Sequence, residues 1–471
     1  MHGQRTMFSM AAVFLLLCVQ QVSAAQIKTD EMDTARQFVA GRFCNERQSA
    51  AQLPFSFTYS GKPSSELLKT WKVSCRSAPL DKQRIQHILT YTDLSTSLRV
   101  RCVAVEYLDF PAVEWTVYFK NLGVKDTPIL EDVQALNTAI TATAKGDFTL
   151  YYAEGSHEKI TDFQPQQKTL SANTNVRLTP FGGRSSDGYL PFFNVAETSG
   201  GTIIGVGWTG QWAAQFSRGN DPVLNVKAGM ELTHLTLHRN EEIRTPAILM
   251  FFWAGQDRMK GQNMFRGFLL KHYSPHVGDK LVDPPVAFSP HATVRFEGTT
   301  IQNTFQGINA VADHNVPVDY WWIDAGWYTC KDNWARWVGN VVPDPNRFPQ
   351  GLKPVADAAH QKGLKFLLWF EPERVMRDTW LYNNHRDWLL FPPAELPPEV
   401  KYMYNDGFHL LNLGNPAALA WAKRHFSQFI KDVGIDAYRN DFNMYPLFYW
   451  RNGEPNDRQG MNEIKYITGL Y

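Results

Sequence analysis

Cysteine is scarce, with five in 471 residues, and the sequence has no CxxC pair and no Cys/His spacing of the kind that holds zinc, which argues against a structural metal. Charge of one sign is missing too. The 47 Lys and Arg offset 46 Asp and Glu to leave a net charge of +1, and no basic run is interleaved with aromatics, so nucleic acid is excluded as the expected partner. No Asn-x-Ser/Thr sequon occurs, so glycosylation has no support. Past the first residues no apolar run approaches the length of a membrane span. What the chain does have is apolar and aromatic mass: 44% hydrophobic residues, 15 Trp and 18 Tyr. That is enough for large cores and two or three domains. Flat rings of this kind fill cores and also stack on the C–H faces of sugars.

The first residues read as a leader. Arg5 supplies a positive start, 7–19 an apolar stretch, and Val22-Ser23-Ala24 a small-residue cleavage site, so removal after Ala24 and export are expected. The expected location is extracellular, lysosomal or periplasmic. Cys18 leaves with the leader. Cys44, Cys75, Cys102 and Cys330 stay in a compartment that permits disulfides, with no pairing readable from spacing.

Two textures follow. Over 25–255, β-rich runs at 97–105, 113–119, 148–152, 202–208 and 232–237 are punctuated by turn-rich segments such as FGGRSSDGY at 181–189. They predict an antiparallel β-sandwich. A helix over 263–271, with Met264, Phe265, Phe268, Leu269 and Leu270 spaced for a buried stripe, is expected to link it across 256–282 to the next domain. From 283 to 471 the texture becomes strand, loop, helix. The runs 318–323, 364–370 and 435–439 are short, poor in alternation and rich in bulky side chains, as in parallel strands buried on both faces. Asn415 with Pro416 opens the helix before the third run and Gly434 closes it, while Gly363 closes the helix before the second. Repetition of that unit predicts a (β/α) barrel of the TIM type.

These three strands end at Asp324, Glu371 and Asp441. In such barrels the C-terminal strand ends form the active-site mouth, so three carboxylates are expected to converge there. Acids gathered without cations persist where they move protons or accept hydrogen bonds from ligand hydroxyls. Glycoside hydrolysis uses such a set: a carboxylate beside the anomeric carbon and a second carboxyl that acts as acid and base. The unspecific readings are an N-cap role for Asp324, an ion pair of Glu371 with Arg374, and an ion pair of Asp441 with Arg439. His360, on a predicted helix, reads as a packed or solvated histidine.

The segments WWIDAGW (321–327), LLWFEPERV (367–375) and YRNDFN (438–443) resemble the three strand-end motifs of family 36 glycoside hydrolases, known chiefly as α-galactosidases. The resemblance covers nearly the whole chain. It implies a retaining exo-glycosidase acting on terminal α-linked galactose, without a cofactor or metal, often as a homo-oligomer. It implies Asp441 as the nucleophile, Asp324 and Asn443 as sugar contacts, Glu371 in support, and Trp322, Trp327 and Trp369 as pocket walls. The 181–189 loop and Trp208 or Trp212 are expected to close over that pocket.

Departures bear on the substrate. Ala325 stands where many members have a second aspartate, Arg439-Asn440 where they have Lys-Trp, and Gly407 near the place of an arginine. Arg439 can donate to hydroxyls, but its planar fork does not copy an ammonium. A terminal N-acetylgalactosamine, or a sugar-binding role without catalysis, are the alternatives. The 283–471 region, roughly 190 residues against about 250 for a typical barrel, predicts an incomplete barrel. The family's later acid/base segment has no counterpart, so no residue receives that role, and this chain is expected to be a fragment or truncation with little or no hydrolytic activity.

Overall fold

The computed structural model describes residues 27–43, 52–142, 146–290, 294–405 and 407–471. The expected leader at 1–24, with Cys18, and also Cys44 lie outside the described residues. Among the described residues, Cys102 and Cys330 are free thiols.

The N-terminal region is two antiparallel sheets around a shared core. One sheet begins with Lys72–Pro79, Arg84–Thr92, Leu98–Tyr107 and Ala112–Asn121. It continues with β1 (Phe148–Ala153), β2 (Pro165–Leu170), β3 (Phe192–Glu197), β4 (Gly200–Gly207) and β5 (Ala247–Ala254), in the spatial order β5-β4-β3-β1-β2. The other is built around Leu130–Thr141, Trp212–Arg218 and Val223–Met230. Strand periodicity decides which side chains meet. Val113, Trp115, Val117 and Phe119 alternate inward and are buried, as are Leu98, Val100, Cys102 and Ala104 on the neighbouring strand. The Trp115 indole N–H donates to the Ala135 carbonyl of the opposite sheet at 2.8 Å, so that large ring enters the core with its one polar group satisfied.

The helix expected over 263–271 is longer. α1 (Arg258–His272) starts at Asp257, whose side chain accepts from the Met259 amide. Its stripe of Met264, Phe265 and Phe268 lies on the outer face of the first sheet, against Ile203, Phe251 and Tyr107. The expected strand at 232–237 shrinks to His234–Leu235. Its continuation bonds away from the ladder: Thr236 N–H to the Asp457 carbonyl and Leu237 N–H to the Thr127 hydroxyl.

The second region alternates β6 (Ala287–Phe288), α2 (Ile301–Asp313), β7 (Tyr320–Ile323), α3 (Lys353–Gln361), β8 (Lys365–Phe370), α4 (Pro416–Val433), β9 (Ala437–Asn440) and α5 (Met461–Leu470). Its strands form one parallel sheet in the order β6-β7-β8-β9. Asn415 caps α4 through the Ala417 amide, and Gly434 ends it in the left-handed region at φ 83°. α2 reaches the sheet because residue 307 is glycine: a Cβ there would lie 2.4 Å from the Trp321 ring. Between β8 and α4 sits a small antiparallel sheet of Arg374–Val375, Leu389–Leu390 and His409–Leu411. Strands of two or three residues carry no readable period, so sequence analysis did not anticipate it.

The two regions are joined by specific bonds. His234–Leu235 pairs with Arg458–Gln459. Glu241 holds Arg458 and Lys465 at 2.7 Å each. Glu463, buried in α5, accepts from the Trp208 indole and the Gln211 amide, both at 2.8 Å. Replacing Glu463 with Ala strands two buried donors, each worth roughly 1–3 kcal/mol. The expected outcome is a clear fall in thermal midpoint, and an unchanged midpoint would show that these bonds do not hold the regions together.

Candidate active site

Register puts the candidate residues on one face. Trp322 pairs with Leu367 and Ile323 with Leu368, while Trp369 pairs with Arg439 and Phe370 with Asn440. Partners across a ladder share a side and successive residues alternate. Trp322, Asp324, Trp369, Glu371, Arg439 and Asp441 therefore project to one side. Trp321, Ile323, Leu368 and Phe370 project to the other, where they are buried. The Asp441 amide still bonds the Phe370 carbonyl at 2.9 Å, so the ladder reaches the acids themselves. Adjacent strands lie about 4.8 Å apart. The backbones at 324 and 441, one strand apart on either side of β8, are thus separated by about 10 Å, room for one pyranose ring.

Asp441 is the most developed position. Its Oδ2 accepts from the Trp369 indole at 2.9 Å and from Arg439 at 3.0 Å, and its side chain is 32% exposed. Burial pushes its pKa up, but the bonds from Trp369 and Arg439 outweigh burial and hold it below the ordinary carboxylate range. Arg439 also lies over the Trp322 ring, 4.9 Å from its centre. Asn443 donates to the Asp441 carbonyl at 3.3 Å. Asp324 is half-buried, and its Oδ1 accepts the Ala325 amide at 2.7 Å.

Glu371 is turned to a different use. It is buried and bonds Arg374 at 2.5 Å, the ion pair anticipated as its structural role. Burial raises its pKa to about 7, with Arg374 opposing. Glu373 escaped sequence analysis. It is fully buried, accepts from Asn440 at 2.9 Å, and burial raises its pKa to about 8, with Asn440 opposing. Asn440 alternates with Arg439 and Asp441, so this bond lies behind the site. The only sequence signal was the second acid of WFEPE.

The aromatic expectations need correction. Trp327 and Trp369 are 3% and 2% exposed, so neither offers an open face to a sugar. Trp327 stacks on Phe429 at 5.3 Å and donates to the Trp369 carbonyl. Trp369 lies under Trp334 and presents its N–H edge to Asp441. Both were pulled inward because burying such a ring outweighs leaving it at a surface. Trp322 alone of the three stays partly exposed. Trp208 and Trp212 are also buried, bonded to Glu463 and to the Ser185 carbonyl; they support the 181–189 loop from below. That loop packs on the chain just past Asp441. The Gly182 carbonyl accepts the Leu447 amide at 3.1 Å, and Phe181 meets the Tyr445 ring at 5.4 Å. His360 bonds Asp436 at 2.7 Å, away from the strand ends. Among the described residues no group of three or more His, Cys, Asp or Glu is arranged to hold a metal.

Comparison with known proteins gives a consistent picture. The melibiase family model matches residues 281–471. The chain is 23% identical over 394 residues to α-galactosidase Mel36A of Lactobacillus acidophilus, covering 82% of this chain and 51% of that protein. It is 32% identical over 149 residues to α-galactosidase 1 of Pediococcus pentosaceus, covering 32% and 20%. The fold resembles the α-galactosidase of Lactobacillus brevis, with TM-score 0.71 at 16% identity over 91% of this chain and 58% of that one. It also resembles a variant of AgaA from Geobacillus stearothermophilus in complex with raffinose, with TM-score 0.71 at 16% identity over 89% and 59%. The chain spans about half the length of the curated relatives it matches most extensively.

The buried acids set a pH dependence. Glu373 has a folded pKa raised above its ordinary 4.5 to about 8. The stability that its protonated form contributes is full below about pH 4.5 and is lost as pH rises through about 8. Glu373→Gln keeps the bond from Asn440 and removes the ionisation. Its thermal midpoint should exceed that of the unaltered protein at pH 9 by about 2–4 °C and match it at pH 5. Equal midpoints at both values would contradict the assignment.

Proposed function

Starting from residues 281–471 as a melibiase-family region, we propose that the chain carries the nucleophile half of a retaining exo-glycosidase for terminal α-linked galactose. The parallel sheet β6-β7-β8-β9 is read as part of a (β/α)8 barrel, with Asp441 at its mouth. One observation carries the reading: a partly exposed carboxylate, kept ionised by two donors, on the same face as Asp324 and Trp322. Trp369 and Arg439 both engage Oδ2, so Oδ1 is the oxygen that attacks the anomeric carbon. The C1–O bond to the leaving group breaks as the glycosyl ester forms, and water then releases the sugar with its configuration retained. Asp324, across β8, is placed to accept hydroxyl hydrogen bonds from the ring, and Arg439 to donate them. Glu371 is committed to Arg374, so the carboxyl that protonates the leaving group is not assigned to it. The similarity to α-galactosidases supports galactose as the sugar, and an exported location suits such a substrate.

A nitrophenyl α-galactoside, whose leaving group needs no protonation, isolates the nucleophile. Asp441→Asn should cut turnover by at least about 1,000-fold while binding persists. Proton NMR of the first product should show α-galactose. Undiminished turnover in that variant, or β-galactose appearing first, would overturn the proposal. Trp369→Phe removes one donor from Asp441, so the acidic limb of the pH–rate profile should move to higher pH. An unmoved limb would show that the indole does not set the charge of Asp441.

A further inference from the structure

A second concave site lies on the sheet-rich region and shares no lining residue with the strand-end acids. It encloses about 700 Å³. Its floor is one cross-strand row of the first sheet, because Gln167 pairs with Tyr151, Tyr151 with Asn194, and Asn194 with Ile203, and paired residues share a face. Its wall is the flank of α1 that carries Arg258, Gln262 and Arg266, spaced four apart.

Three features define what this cleft would take. Phe192, at its edge, is 42% exposed, an open ring of the kind that receives the C–H face of a sugar. Arg258 lies over the Tyr151 ring at 4.3 Å, fixed in place, and none of the lining residues is acidic. Asn194 is 5% exposed; its Oδ1 accepts the Trp253 indole at 3.1 Å, and its Nδ2 has no partner. An orphaned buried amide donor costs roughly 1–3 kcal/mol, a cost removed when a ligand oxygen enters. Carboxamides at 167, 262 and 263 add donors and acceptors around it. An apolar floor with a few fixed polar groups is the usual make-up of a small-molecule site.

We propose that this cleft is a second carbohydrate-binding site, for a neutral oligosaccharide or polysaccharide segment, that holds glycan independently of the strand-end acids. Phe192 is the stacking platform, and the Nδ2 group of Asn194 donates to a sugar hydroxyl oxygen. The site goes beyond the hydrolase reading and stands whether or not Asp441 is a nucleophile.

Native affinity electrophoresis of the full chain tests it, using gels that contain soluble galactomannan, dextran or alginate. Retardation is expected in at least one neutral gel. Phe192→Ala and Arg258→Ala, each checked for an unaltered thermal midpoint, should weaken apparent affinity by at least about five-fold. Asp441→Asn should leave it unchanged. The proposal is overturned by free migration in both neutral gels, by retardation confined to alginate, by equal retardation of both cleft variants, or by loss of retardation in Asp441→Asn. A dimer that dissociates in Phe192→Ala without any retardation would assign the cleft to self-association and would equally sink it. Nitrophenyl galactoside turnover, measured alongside, bears on Asp441 alone.

Discussion

The hydrogen-bond register among β7, β8 and β9 is the constraint on which the placement of the strand-end acids depends. A slip of one residue in any of these strands would exchange the two faces, sending Asp324 or Asp441 among the helices and Trp321 or Phe370 to the open side. The helix-facing residues hold the register. Trp321, Ile323 and Leu368 are fully buried, and α2 seats against Trp321 at a position where only hydrogen can be accommodated on Cα. Carboxylate placement is therefore a by-product of apolar packing on the opposite face.

Electrostatics then separates acids that share a neighbourhood. Asp441 keeps solvent contact and two donors, and stays charged. Glu371 and Glu373 lie deeper, one against Arg374 and one against Asn440, and burial raises both. Three full negative charges this close would repel one another. Burial favours the neutral form of Glu373, Arg374 balances Glu371, and Asp441 is the charge that faces outward, balanced by Arg439, which also spans to Trp322.

Much of this was legible in the sequence, for identifiable reasons. The ends of β7 and β8 could be read because short, largely apolar runs break at a carboxylate; β9 has no such run, since Arg439 and Asn440 precede Asp441. Asn415 and Gly434 declared the ends of α4 because caps are local chemistry. The ion pairs of Glu371 with Arg374 and of Asp441 with Arg439 were foreseeable from spacings of three and two. The fate of the tryptophans was not, because a sequence gives ring count but not which rings other rings cover. Trp327 disappears beneath Phe429, and Trp369 turns edge-on to a carboxylate. Glu373 stayed hidden for a related reason, since its partner Asn440 is distant in sequence and faces away from the acids.

The loop at 181–189 meets residues 445–450 with almost no free space. Gly182 and Gly183 both adopt positive φ, and a Cβ on either would strike Tyr445, Leu447 or Trp450. These two stretches, more than 250 positions apart, have to fit one another sterically. Anyone replacing the sheet-rich region of this chain would have to keep the two matched, because a mismatched pair would displace the backbone only a few residues downstream of Asp441.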